Sequence, residues 1–142
     1  MQRYIKLDAQ DQPLPDDAPF EQVGGILVKP ANIIVAPFEL TKGERAPFKK
    51  AIQLAADCKH LEKEWRLATI DELFFVADRA KYDPAIDTNF FPFLSDGGWA
   101  WSSTVHASDS SYAWFVYLSG GLCDDFRQAN YGLVLAVRSA SQ

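Results

Sequence analysis

Two adjacent serines followed by a histidine have the residue types of a hydrolytic site. Ser102 and Ser103 lie in the run Trp101-Ser102-Ser103-Thr104, and His106 follows two residues later. A serine nucleophile needs a base within hydrogen-bond reach, and His106 is the nearest candidate. The sequence contains no G-x-S-x-G nucleophile elbow. We therefore interpret the serines as strand residues that hydrogen-bond across a hairpin, and we expect no enzyme and no catalytic residue.

Acidic residues in the second half have the oxygen ligands that Ca²⁺ prefers. They are Asp96, Asp109, Asp124 and Asp125, and all fall in or near turns between short apolar runs. Calcium is the one cofactor that these residues suggest, and we expect none to be required. Cys58 and Cys123 show no C-x-x-C spacing, so neither a zinc site nor a redox motif is indicated. We expect buried thiols, with a single bridge between them as the alternative.

A helix start is marked by Thr69 and Glu72, which stand at the S/T-x-x-E spacing of a capping box. Trp65 and Arg66 come just before it. Trp and Arg are common hot-spot residues of interfaces. At a helix start, however, we place both inside the fold, with Arg66 reaching carbonyl groups or a carboxylate such as that of Glu72.

Helical periodicity predicts two amphipathic helices. The first runs from residue 46 to near residue 60, and the second runs from residue 70 to residue 80. The predicted apolar faces are Phe48, Ala51, Ile52, Ala55 and Cys58 for the first, and Ile70, Leu73, Phe74 and Ala77 for the second. Each helix should cover one side of a sheet.

Short β-branched and aromatic runs predict the strands of that sheet. An edge strand is expected at 3–7, a hairpin at 23–28 and 33–37, and further strands at 99–104, 112–118, 120–126 and 133–138. Residues 81–95 hold two prolines and three phenylalanines without a period, which is typical of a long loop. Two helices with antiparallel strands indicate an α+β domain. We place this single domain at 23–142, after a lead-in segment at 1–22.

Composition limits the partners of the chain. The 142 residues carry a formal net charge of −5, and 48% of them are hydrophobic. This balance does not favour binding to nucleic acid, which needs a basic footprint. The sequence shows no secretory signal and no apolar run of about 18 residues. We therefore expect a cytoplasmic protein with no membrane contact, present as a monomer or a small homo-oligomer.

Five sequence blocks resemble the Lcl C-terminal domain family, a domain of unknown function named after a collagen-like bacterial adhesin and common in bacteria, phages and prophages. The blocks span residues 46–138. They are Trp65-Arg66-Leu67-Ala68-Thr69-Ile70-Asp71-Glu72-Leu73, Asp83-Pro84-Ala85-Ile86-Asp87-Thr88 with Phe91-Pro92, Trp101-Ser102-Ser103-Thr104, Ala113-Trp114-Phe115-Val116 and Ala136-Val137-Arg138. Within these blocks we expect structural roles for Trp65, Arg66, Thr69, Glu72, Trp101, Ser102, Ser103, Trp114 and Arg138. The family usually has proline where Ala68 stands.

The resemblance implies the C-type-lectin-like fold shared with formylglycine-generating enzymes, in which two helices flank a small twisted antiparallel sheet and a loop-rich face binds the ligand. The Glu-Pro-Asn, Gln-Pro-Asp and Trp-Asn-Asp motifs of calcium-dependent lectins are absent from this chain. Cys123 lacks the partner cysteine that formylglycine-generating chemistry needs.

The expected ligand face comprises the loops at 105–111 and 121–132, which mix aromatic, charged and amide groups as recognition surfaces do. Its candidate residues are His106, Tyr112, Asp124, Asp125, Arg127, Asn130 and Tyr131. We expect a non-catalytic domain, phage- or prophage-related, that binds a protein or a glycan and is associated with the virion in one variant of this hypothesis. The alternative is a small intracellular accessory protein that binds and blocks a host complex.

Overall fold

Residues 2–140, as described by a computed structural model, form two α-helices and seven β-strands. The strands are β1 (Tyr4–Leu7), β2 (Gly25–Val28), β3 (Ile33–Glu39), β4 (Trp99–His106), β5 (Asp109–Tyr117), β6 (Cys123–Arg127) and β7 (Leu135–Ser139). The helices are α1 (Phe48–Asp57) and α2 (Ile70–Phe74). The predicted α+β class is confirmed, and residues 81–95 are a loop apart from one 3-10 turn at Pro92–Leu94.

The strands form two antiparallel sheets rather than the single sheet that the sequence analysis expected. One sheet has the order β1-β2-β3-β7, and the other has the order β4-β5-β6. The prediction was wrong because β7 leaves the C-terminal run of strands and pairs with β3, where Val35 lies opposite Val137. Just before β7, Leu133 forms a bridge with Ala100 of β4, so the chain crosses from one sheet to the other at this point.

The predicted edge strand near the N-terminus is confirmed as β1, which pairs with β2. Tyr4 is buried in the central core. Farther along the lead-in segment, the Asp11 carboxylate lies 2.6 Å from the guanidinium of buried Arg138 on β7. This ion pair attaches the lead-in segment to the sheet.

Helix α1 covers one face of the three-stranded sheet. Its residues Phe48, Ala51 and Ala55 are buried, and their cluster includes Trp101 and Phe115. The helix ends at Asp57, short of the predicted end near residue 60. Ile52 is 41% exposed, so its predicted place on the buried face was wrong, and Cys58 beyond the helix is partly exposed.

Helix α2 ends at Phe74, although the apolar period predicted a helix to residue 80. Side chains from outside the helix explain the early end. The Arg3 guanidinium donates to the carbonyls of Phe75 and Ala77 at 3.0 and 2.9 Å, and the Arg79 guanidinium donates to that of Phe74 at 2.7 Å. In a helix that reached residue 80, the carbonyls of Phe74 and Phe75 would accept from amides four residues on. Tertiary hydrogen bonds therefore replace the last predicted turn.

Residues 65–70, which we name the strap, hydrogen-bond to both sheets. Arg66 and Val137 of β7 exchange backbone hydrogen bonds of 2.9 and 2.8 Å. The Ser103 amide of β4 donates to the Ala68 carbonyl at 2.8 Å, and the Ile70 amide donates to Thr104 Oγ1 at 2.9 Å. The strap therefore ties the edge of one sheet to a strand of the other.

The predicted capping box is present where the strap enters α2. The Glu72 amide donates to Thr69 Oγ1 at 3.2 Å, and the Thr69 amide donates to Glu72 Oε1 at 2.9 Å. Arg66 holds the same carboxylate with two hydrogen bonds of 2.7 and 3.0 Å. The Arg66 side chain is 42% exposed, so its predicted burial was wrong, while its predicted contact with Glu72 is confirmed.

Trp65 fills the outer side of the four-stranded sheet, as predicted for a buried residue. It packs in a cluster with Leu7, Ile34 and Ala136, and its indole N–H donates to the His60 carbonyl at 2.9 Å. The indole covers apolar strand residues that would otherwise face water.

Replacing this indole should destabilise the whole domain. We expect Trp65→Ala to lower the free energy of unfolding by about 3–5 kcal/mol, because a buried tryptophan loses its contacts and leaves a cavity. Urea denaturation followed by circular dichroism measures the change. Tyr82→Ala, which removes an aromatic ring that is 85% exposed, serves as the control and should change stability little. A Trp65→Ala protein as stable as the wild type would contradict the packing role.

The Arg66 hydrogen bonds lower the pKa of Glu72, and the hydrogen bonds from Thr69 lower it further, against the opposing effect of burial. The stabilisation from a lowered carboxyl pKa is present above the unfolded value of about 4.3 and is lost as the pH falls through the folded value. Glu72→Gln keeps a capping-box acceptor but removes the charge that pairs with Arg66. We expect it to cost at most about 1 kcal/mol at pH 7 and to cost less at pH 3. Urea midpoints at the two pH values measure this difference.

Glu64→Gln is the matched control for that measurement, because Glu64 is exposed on the chain just before the strap. Its stability should follow that of the wild type at both pH values. A cost of Glu72→Gln that does not change with pH would contradict the role of the ionised carboxylate.

Candidate functional site

The three-stranded sheet presents one partly open face. Across the β5–β6 pair, Tyr112 lies opposite Arg127 and Trp114 lies opposite Asp125. The alternate residues of β5, such as Ala113 and Phe115, are buried under α1. Because side chains alternate along a strand, the first four residues share the other face. We name these four residues and His106 the hairpin face.

A bulge in β4 brings His106 to this face. The register of β4 against β5 shifts between Trp101 and Val105. Ser102 Oγ lies at the shift, where it donates to the Trp114 carbonyl at 2.7 Å and accepts from the Thr104 amide at 3.1 Å. The predicted cross-hairpin hydrogen bond is thus confirmed for Ser102. Beyond the bulge, the His106 ring stacks on that of Trp114 with centroids 5.4 Å apart and planes 11° apart.

His106 is held by partners on both ring nitrogens. Nε2 lies 3.3 Å from Asp125 Oδ2, and the Ser108 amide donates to Nδ1 at 3.1 Å. Because Nδ1 accepts from an amide, we assign the ring proton to Nε2, which then donates to the carboxylate. The ring is therefore fixed in one orientation at the open end of the sheet.

Ser108, His106 and Asp125 together have the residue types of a hydrolase triad. The sequence analysis missed this arrangement because it considered only Ser102 and Ser103. Ser108 Oγ lies 3.0 Å from His106 Nδ1. The Ser108 amide already donates to the same nitrogen, so the lone pair that a base would use is shared. Ser108 is exposed at the hairpin tip, where water competes with any oxyanion stabilisation. We therefore interpret the contact between His106 and Ser108 as one that stabilises the tip of the β4–β5 hairpin. In the sequence, the spacing of His106 and Ser108 around a single residue at a turn could have indicated this contact.

Arg127 and Asp109 set the charge at the edge of the hairpin face. The Arg127 guanidinium carbon lies 5.4 Å from the centre of the Tyr112 ring, within cation–π range. Hydrogen bonds from the Ser111 hydroxyl and then from its amide lower the pKa of Asp109. A cation and an ionised carboxylate therefore flank the aromatic rings.

A comparison of the sequence with models of protein families matches residues 28–138 to the Lcl C-terminal domain. The chain belongs to the Lcl C-terminal domain family. The match confirms the resemblance of residues 46–138 and extends it back to the end of β2. A search of curated proteins found no match.

The structure divides the predicted ligand residues of this Lcl domain. His106, Tyr112, Asp125 and Arg127 lie together on the hairpin face. Asp124 lies opposite Phe115 and so points to the other side of the sheet. The other two candidates, Asn130 and Tyr131, follow the turn after β6, and Tyr131 lines a separate cavity beside α1.

Two partly exposed aromatic residues beside or on the hairpin face, Trp114 and Phe74, were not among the predicted ligand residues. Trp114, predicted as a structural residue, is partly exposed at the centre of the hairpin face. With Ile70 and Phe74 of α2 and Cys123 of β6, it lines an apolar groove of about 430 Å³. The alternation of Tyr112 and Trp114 along β5 was the signal for this placement. Phe74 belongs to the predicted buried face of its helix but is 39% exposed.

Both cysteines are free and partly exposed, which contradicts the predicted burial and the alternative bridge. Partial burial raises the pKa of the Cys123 thiol, so it is protonated at neutral pH.

Within residues 2–140, no three His, Cys, Asp or Glu side chains are placed to bind a metal ion together. Over the same range, neither helix is long and apolar enough to cross a membrane.

Proposed function

We propose that this Lcl C-terminal domain is a non-catalytic recognition module that binds a protein or glycan ligand through the hairpin face. The observation that carries the proposal is the convergence of His106, Tyr112, Asp125 and Arg127 around a partly exposed Trp114. These residues come from three strands, so the face exists only in the folded domain.

The chemistry of the face supports recognition of another macromolecule. Trp, Tyr and Arg are the residue types most enriched at binding hot spots. Trp114 lies between the apolar groove and the charged residues, so a ligand can bury an apolar group beside a polar rim. The stacked His106 and the ring beneath Arg127 lose little side-chain freedom on binding, which lowers the entropic cost of association.

We also propose that the domain has the C-type-lectin-like fold and that the protein is phage- or prophage-related. Association with the virion is one form of this second proposal. The arrangement of α1 and α2 supports the fold, because the two helices pack against opposite faces of the three-stranded sheet. The second proposal rests on the family alone.

The proposal predicts that changes to exposed residues of the hairpin face remove binding without unfolding. Partners of the wild-type domain are first identified by capture from bacterial lysate with mass spectrometry and on a glycan array, and affinity is then measured by biolayer interferometry. We expect the double variant His106→Ala with Arg127→Ala to weaken binding about tenfold or more, since hot-spot truncations cost over 1 kcal/mol each.

The matched control is Lys81→Ala with Tyr82→Ala, two exposed positions in the 81–95 loop. It should bind as the wild type does, and thermal midpoints verify that both double variants are folded. If the hairpin-face variant keeps the wild-type affinity, the site assignment is wrong.

A further inference from the structure

A second cavity, beside α1, shares no lining residue with the hairpin face. It encloses about 480 Å³ between the loop at 40–46, the start of α1 and the Tyr131 side chain. We name it the loop pocket. Its volume falls within the range of about 300–1,000 Å³ for small-ligand sites.

The loop pocket is positively charged although the chain as a whole carries −5. Lys42, Arg45 and Lys50 line it, and Glu44 is its single acidic lining residue. The ion pairs formed within residues 2–140 use Arg66, His106 and Arg138 as their cations. None of the three pocket cations forms an ion pair in this part of the chain. The Arg45 guanidinium lies beside Gly98, which does not line this cavity, so Lys42 and Lys50 are the cations available to an anion.

A buried carboxylate fixes the loop that carries Lys42 and Arg45. Glu39 is 8% exposed, and its oxygens accept from the amides of Thr41, Gly43 and Val134 at 3.0, 2.8 and 2.8 Å. Lys42 and Arg45 occupy left-handed backbone conformations in this loop, with φ of 53° and 67°. Because the loop is held before any ligand arrives, placing Lys42 costs less entropy on binding.

Apart from Thr41, the remaining walls of the loop pocket are apolar or aromatic. Leu40 and Leu54 line it together with Tyr131, whose ring is 61% exposed. A bare inorganic anion would leave these walls in contact with water. An anionic group joined to an apolar ring would satisfy both parts of the cavity.

We propose that the loop pocket binds a small ligand, or the end of a larger one, in which a phosphate or carboxylate group adjoins an apolar ring. Lys42 and Lys50 hold the anion, and Tyr131 with the two leucines contacts the ring. Tyr131 thus takes the ligand-binding role that the sequence suggested, at a site separate from the hairpin face.

Titration of the ¹⁵N-labelled domain with phenyl phosphate, benzoate and benzyl alcohol, followed by NMR, tests the proposal. We expect saturable shifts around Lys42, Lys50 and Tyr131 for at least one anion, with a dissociation constant of about 1 mM or lower, and no saturation with the neutral alcohol. Tighter binding of phenyl phosphate would identify a phosphate ligand, and tighter binding of benzoate would identify a carboxylate.

Lys50→Glu should weaken anion binding about tenfold or more, because it reverses a charge in the pocket. The matched control Lys63→Glu makes the same change of charge at an exposed position before the strap and should bind as the wild type does. The proposal is overturned if neither anion saturates, if benzyl alcohol binds as tightly as the anions, or if Lys50→Glu binds as the wild type does. None of these outcomes affects the hairpin-face assignment, since they concern different residues.

Discussion

The strap joins the two sheets, which also meet at the bridge between Leu133 and Ala100. The Arg66 backbone hydrogen-bonds to Val137 of the four-stranded sheet. The Ala68 and Ile70 backbone groups hydrogen-bond to Ser103 and Thr104 of the three-stranded sheet. Trp65 anchors one end of the strap on the outer face of the first sheet. At its other end the capping box begins α2. Because the sheets cannot separate at the strap without breaking these hydrogen bonds, the strap fixes the position of α2 and, together with the Leu133 bridge, the distance between the sheets.

Both candidate binding surfaces depend on this framework. The bulge at Ser102, which brings His106 over Trp114, begins one residue before the strap contact at Ser103. The loop pocket depends on Glu39, whose carboxylate accepts from amides of its own loop and from Val134. In both places exposed side chains are carried by backbone whose polar groups are satisfied inside the fold, an arrangement typical of binding loops on a rigid scaffold.

Features set by neighbouring residues could be predicted from the sequence. The Thr69–Glu72 cap follows from a spacing of three residues, and the shared burial of Trp99 and Trp101 follows from strand alternation. Features set by distant residues could not. The end of α2 depends on Arg3, some 70 residues away in the chain. Likewise, nothing in the residues of β7 indicates that it pairs with β3 rather than with the nearer strands.

The same distinction between local and distant determinants applies to the candidate site. Tyr112, Asp125 and Arg127 share one face because side chains alternate along β5 and β6, and that pattern is local. The sequence analysis did not apply it, since it selected the adjacent Asp124 and Asp125 together. The approach of Ser108 to His106 depends on the shape of the hairpin tip, which the sequence does not specify. The loop pocket was missed because its cations come from a loop and a helix whose packing is set by Glu39.

Native-state hydrogen exchange of the amides that hydrogen-bond between the strap and the sheets tests most directly whether the strap unites the two sheets. The amides of Arg66, Ser103 and Val137 form the relevant backbone hydrogen bonds. If the strap makes the sheets one cooperative unit, all three amides exchange with the free energy of global unfolding measured by denaturant. If Ser103 exchanges at a clearly lower free energy than Val137, the sheets open separately and the role assigned to the strap is wrong.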